Sequence, residues 1–231
     1  MTDWAPMAFD EIVGVLSKAG DPARREPMAA YMKHHFAFLG IPAPVRESLT
    51  RAVFKTLPTP SADDLLGFAS AMWELPEREY QYVGIGLLHR YDKLLPPSAL
   101  PALKQLITTK SWWDSVDELA GHPVGSIVGR HTEQRSVMDA WLVSDNIWLA
   151  RTAIIHQIHR RDDTDEAWLF NACITRAADT EFFLRKAIGW ALRSHAHRGP
   201  AQANAVRAFL AEHDSTLSGL SKREALKRVK H

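Results

Sequence analysis

Apolar residues recur at i, i+3, i+4 and i+7 along most of the chain, whereas alternating runs of Val, Ile and Thr are nearly absent. The first spacing gives a helix one stripe to bury; the second is what a half-buried strand requires. The pattern predicts an all-α protein. Breakers divide it at Gly-Asp-Pro 20–22, Gly-Ile-Pro-Ala-Pro 40–44, Leu-Pro-Thr-Pro-Ser 57–61, Leu-Pro 75–76, Pro-Pro-Ser 96–98, Gly-His-Pro 121–123 and Arg-Gly-Pro 198–200. Up to residue 95 the intervals run from 12 to 19 residues, each helix-sized. Start signals agree: Ser61 before Asp63-Asp64, Ser98 before an apolar run, and Asp179-Thr180 before Glu181 place acceptors where the first amides of a helix lack partners. The reading is about a dozen short helices in series.

The helices carry a weak repeat. The segment 151-RTAI-154 matches 185-RKAI-188 at an offset of 34, with Trp148 and Leu149 opposite Phe182 and Phe183, and 82-YVGI-85 lies some two periods earlier. A helix-pair period of this size, without tetratricopeptide or ankyrin signatures, predicts a HEAT-like helical-repeat solenoid with a concave face. The alternative is a non-repetitive helical bundle. With no long Pro/Gly/Ser-rich linker, residues 1–231 read as a single repeat domain. Its basic amphipathic tail, about 217–231 and ending 221-SKREALKRVKH-231, reads as a solvated last helix.

Composition narrows the functional classes. The 231 residues are 46% hydrophobic and carry 28 Lys+Arg against 27 Asp+Glu, a net charge of +1, so any nucleic-acid binding must come from locally arranged charge. From residue 145 onward there are 14 basic and 10 acidic residues, whereas 1–110 has 12 of each. The single cysteine, Cys173 in FNACI, excludes a disulfide framework and reads as a small core residue. No basic-then-apolar leader opens the chain and no window approaches 18 uninterrupted apolar residues, which points to a soluble protein of the reducing cytosol. Phosphate-loop, dinucleotide, zincin and serine-hydrolase motifs are all missing; 125-GSIVG-129 has its serine in the wrong place. His156 with His159, or His195 with His197, lacks a third ligand at a convincing spacing, so no metal site or cofactor is expected.

The stretch 111-SWWDSVDELAGH-122 is the most informative. Ser111 and Asp114 have the form of a capping box, which predicts a helix from Trp112. Trp112, Val116, Leu119 and Ala120 then form a core stripe. Trp113 and Asp117, four apart, share a neighbouring face that the core does not explain. An aspartate one turn inside a helix has no capping role, and a tryptophan beside it makes a surface suited to something flat or cationic. In 145-DNIWLARTAIIHQIH-159, Arg151 interrupts an apolar face and needs a carboxylate or a phosphate. Trp190, in 181-EFFLRKAIGWALRSH-195, stands between an apolar face and the cations Lys186 and Arg193, and is open to either a core or a site role.

Taken together, 31-YMKHHFAFLGIPAPVR-46, 73-WELPEREYQYVGIGLL-88, 111-SWWDSVDELAGHPVG-125, 146-NIWLARTAI-154 and 185-RKAIGWALR-193 resemble the AlkD-type DNA alkylation repair proteins, a HEAT-like-repeat family of DNA glycosylases. The matches run in order from about residue 8 to residue 200. The resemblance implies a concave face that binds duplex DNA and a reaction that hydrolyses the N-glycosidic bond of cationic alkylated purines, chiefly N7-methylguanine and N3-methyladenine. It implies a catalytic set of Asp117, Trp113, Arg151 and Trp190, with Tyr31 a DNA contact. Lys186 and Arg193 are expected to meet DNA as well. The lesion is expected to stay stacked, without a deep base-flipping pocket, and a lysine nucleophile is not expected, so the product is an abasic site. The implied protein is a cytoplasmic, nucleoid-associated monomer without cofactors. A non-catalytic HEAT-like scaffold that binds DNA or protein is the competing reading. Arg151 could pair with Asp117 or with a backbone phosphate.

Overall fold

The computed structural model of the protein describes residues 3–229, and they are helical as the periodicity predicts. One isolated parallel bridge, Ala37 to Glu77, is the β feature among them. Among the described residues no helix is long and apolar enough to cross a membrane. The sequence reads as one repeat domain over 1–231; the chain divides into two compact units between Ala102 and Leu103.

The first unit contains α1 (Trp4–Ala19), α2 (Pro22–Tyr31), α3 (Ala43–Phe54), α4 (Ala62–Glu74) and α5 (Arg78–Arg90). Ser61 starts α4 as predicted: its hydroxyl accepts from the Asp64 amide, and the Asp64 carboxylate accepts from the Ser61 amide. Trp4, Phe54 and Phe68 form the aromatic centre of this unit, with ring centroids 5.9 to 6.4 Å apart. The segment between α2 and α3 is tied down by one carboxylate. Glu79, fully buried on α5, accepts from the amides of Leu39, Gly40 and Ile41 at 2.8 to 3.0 Å. Three charge-assisted bonds offset the desolvation of that carboxylate. Gly40 has φ +89° with its absent Cβ 2.1 Å from the Asp21 carbonyl, so no other residue fits there.

The second unit contains most of α6 (Leu100–Thr108), then α7 (Trp113–Leu119), α8 (Gly125–Arg130), α9 (Arg135–Leu142), α10 (Ile147–Ile155), α11 (Glu166–Thr175), α12 (Phe182–Ala196), α13 (Pro200–Glu212) and α14 (Gly219–Ala225). Helices α7, α10, α12 and α14 begin 34, 35 and 37 residues apart. Side-chain bonds fall at the same interval: Arg176 to the Leu142 carbonyl, Ser194 to that of Ile158, Arg198 to Thr164 and Ser221 to the carbonyl of Arg185. A residue that bonds the chain one period away is what a stacked helix-pair array produces. The RTAI and RKAI segments that suggested the period lie on α10 and α12.

One breaker and one start signal behave differently from expectation. Gly-His-Pro 121–123 does not end a helix; it sits in a π-helical turn, Ala120–Val124, that joins α7 to α8. Widening the turn accommodates a proline that an α-helical interior would reject. The wide turn also lies against α10's end, where a Cβ on Gly125 would fall 2.3 Å from the His156 carbonyl. Asp179 does not cap α12; its carboxylate binds Arg176, and Glu181 is the residue before the helix. The tail is not merely solvated either, since Ser221 and Ala225 of α14 are buried.

His156 is buried beside Trp168, and its Nδ1 donates to the Ala153 carbonyl at 2.6 Å. Burial, with help from Arg160 and Arg135, lowers its pKa from 6.5 to about 4. Between those values the unfolded chain takes up a proton that the native protein excludes, so stability is full above 6.5 and falls as the pH drops toward 4. Denaturant unfolding measured across this window should lose on the order of 3 kcal/mol that a His156→Leu variant does not lose.

Candidate active site

Helix α7 starts at Trp113, one residue later than the capping-box reading of Ser111 and Asp114 places it. Trp112 is the extended residue before the helix, at φ −158° and ψ 162°, and no side chain caps the end. The Ser111 hydroxyl instead donates to the Ile107 carbonyl at 2.7 Å, serving the orphan acceptors at the end of α6. Asp114 remains in the first turn of α7, where a negative charge suits the helix end. Val116, Leu119 and Ala120 are fully buried, as predicted. Trp112 is only half-buried. Its ring lies 5.1 Å from Phe183 and 5.8 Å from Trp148, and those two are 4.9 Å apart, so three successive repeats meet in one aromatic cluster.

On the neighbouring face of α7, Asp117 meets Arg151 of α10. Arg151 Nε donates to Asp117 Oδ1 and Nη2 to Oδ2, both at 2.7 Å, while Nη1 donates to the Phe183 carbonyl at 2.6 Å. The start of α10 is fixed by Asn146, whose side chain accepts from the Trp148 and Leu149 amides. The Arg151 side chain is 6% exposed and that of Asp117 14%. Of the two partners left open for Arg151, carboxylate or phosphate, the carboxylate is the one it holds. The Phe183 carbonyl, which the sequence pattern does not reveal, accepts a third of the arginine's five N–H donors and lies on a third helix.

The fork also bears on ionisation. A guanidinium has donors only, so two N–H bonds onto two oxygens favour the ionised carboxylate over the neutral acid. Burial is the largest influence on Asp117 and pushes its pKa above the ordinary 3.8; the bonds and charge of Arg151 oppose that, and Asp114 adds to it. The fork takes one acceptor direction on each oxygen and leaves the others for a ligand or water.

Trp113, four residues before Asp117, and Trp190, seven after Phe183, are both half-buried. Trp190 therefore lies on the same side of α12 as the residue whose carbonyl takes Arg151. Lys186 and Arg193, expected to meet DNA, are engaged within the protein: Glu224 of α14 binds Lys186 Nζ at 3.0 Å and Arg193 Nη1 at 2.8 Å. Glu224 had no place in the sequence reading. Tyr31, the last residue of α2 in the first unit, is 69% exposed. Three of the four histidines named as candidate ligands have other partners: His156 binds the Ala153 carbonyl, His159 stacks on His122, and His195 binds Glu166. Cys173 is fully buried, and burial pushes its thiol up, away from nucleophile chemistry.

Fold and site define a helical-repeat protein with an arginine-held carboxylate flanked by tryptophan. The family model for "DNA alkylation repair enzyme" matches residues 12–229, and the chain belongs to that family. Among solved structures it is similar to a predicted DNA alkylation repair enzyme from Enterococcus faecalis, with 33% identity over 91% of this chain and 96% of that one and a TM-score of 0.81. The comparison with curated proteins produced no match.

Removing one partner of a buried fork strands the other. Arg151→Met should destabilise the protein by about 3–5 kcal/mol in urea unfolding, and a loss below about 1 kcal/mol, the range of an exposed pair, would mean that the fork is not buried in solution.

Proposed function

We propose that the protein is a monofunctional DNA glycosylase that hydrolyses the N-glycosidic bond of cationic alkylated purines, N7-methylguanine and N3-methyladenine, in duplex DNA. The observation that carries this reading is Asp117: a nearly buried carboxylate held at both oxygens by Arg151, with Trp113 one turn away. Membership of a DNA alkylation repair family supports the substrate class.

Alkylation at N7 or N3 leaves a positive charge on the purine, so the base departs as a neutral molecule. The bond from C1′ to the base breaks with its electron pair going to the purine, and positive charge develops on the deoxyribose. A fixed carboxylate stabilises that oxocarbenium-like centre and orients the water that attacks it. The water oxygen bonds to C1′, its proton passes through Asp117 to solvent, and an abasic site remains. Arg151 keeps the carboxylate ionised and aimed without itself touching the sugar. Trp113 and Trp190 supply negative ring faces for the cationic nucleotide, worth about 0.5–2 kcal/mol each.

This chemistry needs no base extruded into a deep pocket; the lesion stays stacked and is approached from its backbone side. Tyr31 is a further contact to DNA. The protein works as a monomer in the cytoplasm, on the nucleoid, without a cofactor.

The test is release of free 7-methylguanine from methylated duplex with enzyme in excess. Asp117→Asn should slow release by about 10²–10³ while duplex binding stays near wild type. No release by the wild-type protein, with binding intact, would instead mark a non-catalytic DNA scaffold. Trp113→Ala and Trp190→Ala should slow excision of cationic lesions more than of neutral ones, and a uniform loss would count against the aromatic-face role. Because burial raises Asp117, the acid limb of the rate profile should lie above the ordinary aspartate value of 3.8, with activity lost as the pH falls through it.

A further inference from the structure

Helix α12 carries more than Trp190 on the flank that borders α14. Phe182, Lys186, Trp190 and Arg193 follow one another at i, i+4, i+8 and i+11, on one ridge opposite the face that buries Leu184, Ala187, Ile188 and Leu192. Aromatic and cationic side chains alternate along that ridge, and Phe182 at its start is 56% exposed. The two cations converge on a single carboxylate from another helix. Lys186 Nζ lies 3.0 Å from Glu224 Oε1, Arg193 Nη1 donates to Oε2 at 2.8 Å, and the same Nη1 donates to the Glu224 main-chain carbonyl at 3.2 Å.

The approach of α14 that allows this is built in. A Cβ on Gly189 would lie 2.5 Å from that of Glu224 and 2.7 Å from the Ser221 carbonyl, so only glycine admits the helix at this distance. Ser221 then donates its hydroxyl to the Arg185 carbonyl at 2.9 Å. Lys186 first, and Arg193 next, hold Glu224 below the usual carboxylate range. The cluster is not sealed: the side chains of Lys186 and Arg193 are 35% and 22% exposed.

A carboxylate bridging a lysine and an arginine presents them with two oxygens sharing one negative charge, as the non-bridging oxygens of a phosphodiester do. We propose that Lys186 and Arg193 form a backbone-phosphate site on the DNA-facing ridge of α12, and that Glu224 is its resident counter-charge, displaced by a phosphodiester when DNA binds. The proposal rests on the glycosylase reading, which sets Trp190 of the same ridge against DNA. Glu224 keeps both cations ordered in the free protein and, by competing with phosphate, restrains affinity for undamaged DNA.

The experiment titrates an undamaged duplex oligonucleotide over a range of salt concentrations, with thermal unfolding run alongside. Glu224→Gln should bind several-fold more tightly than wild type, and the slope of log affinity against log salt should steepen by about 0.9, one phosphate equivalent. Lys186→Gln, which leaves Glu224 with Arg193, should bind more weakly with a shallower slope, and it decides the matter if the Glu224 variant fails to fold. A merely structural bridge would change the melting temperature and leave both slopes alone, and that result would overturn the proposal. Release of methylated base is a separate readout: its absence sinks the glycosylase reading, whereas unchanged slopes sink the phosphate site.

Discussion

The bidentate bond between Asp117 and Arg151 is the interaction on which the rest of the second unit's chemistry depends. Neither partner is tolerable alone in so dry a place, because an unpaired buried charge costs several kcal/mol and is relieved by neutralising or unfolding. Paired, with a third arginine N–H on the Phe183 carbonyl, they join α7, α10 and α12. The same bond that satisfies the arginine orients the carboxylate. Stability and preorganisation are therefore one constraint, and a carboxylate fixed in advance is what the proposed glycosylase chemistry asks for.

Part of this was legible in the sequence. Helical periodicity and proline-bearing breakers located most helices, because both act through local backbone geometry. Asp117 stood out as an aspartate without a cap to make, and Arg151 as a cation on an apolar face. Their partnership was also within reach: 151 minus the 34-residue period is 117, so the fork joins equivalent positions of adjacent repeats. Ser111 misled because its hydroxyl can serve the helix before it as well as the one after it, and spacing does not say which. Gly-His-Pro misled because a π turn tolerates what an α turn does not. Glu224 was invisible, since its role depends on how closely α14 sits against Gly189, a matter of tertiary packing.

Helix α12 shows how one element can serve several ends. Its apolar side fills the core, the Phe183 carbonyl near its start receives Arg151, and its ridge beside α14 carries Trp190 between two cations. The net charge of the chain, +1, conceals this, since the excess of basic residues after 145 is local and partly countered by Glu224.

The most direct test of the account is a double-mutant cycle on single-turnover release of 7-methylguanine, with Asp117→Asn, Arg151→Met and the two combined. If the pair acts as one unit, the double variant will be no slower than the slower single variant, because removing either partner already disables the other. Losses that simply add, on a logarithmic scale, would show that Asp117 and Arg151 act independently and would contradict the central claim.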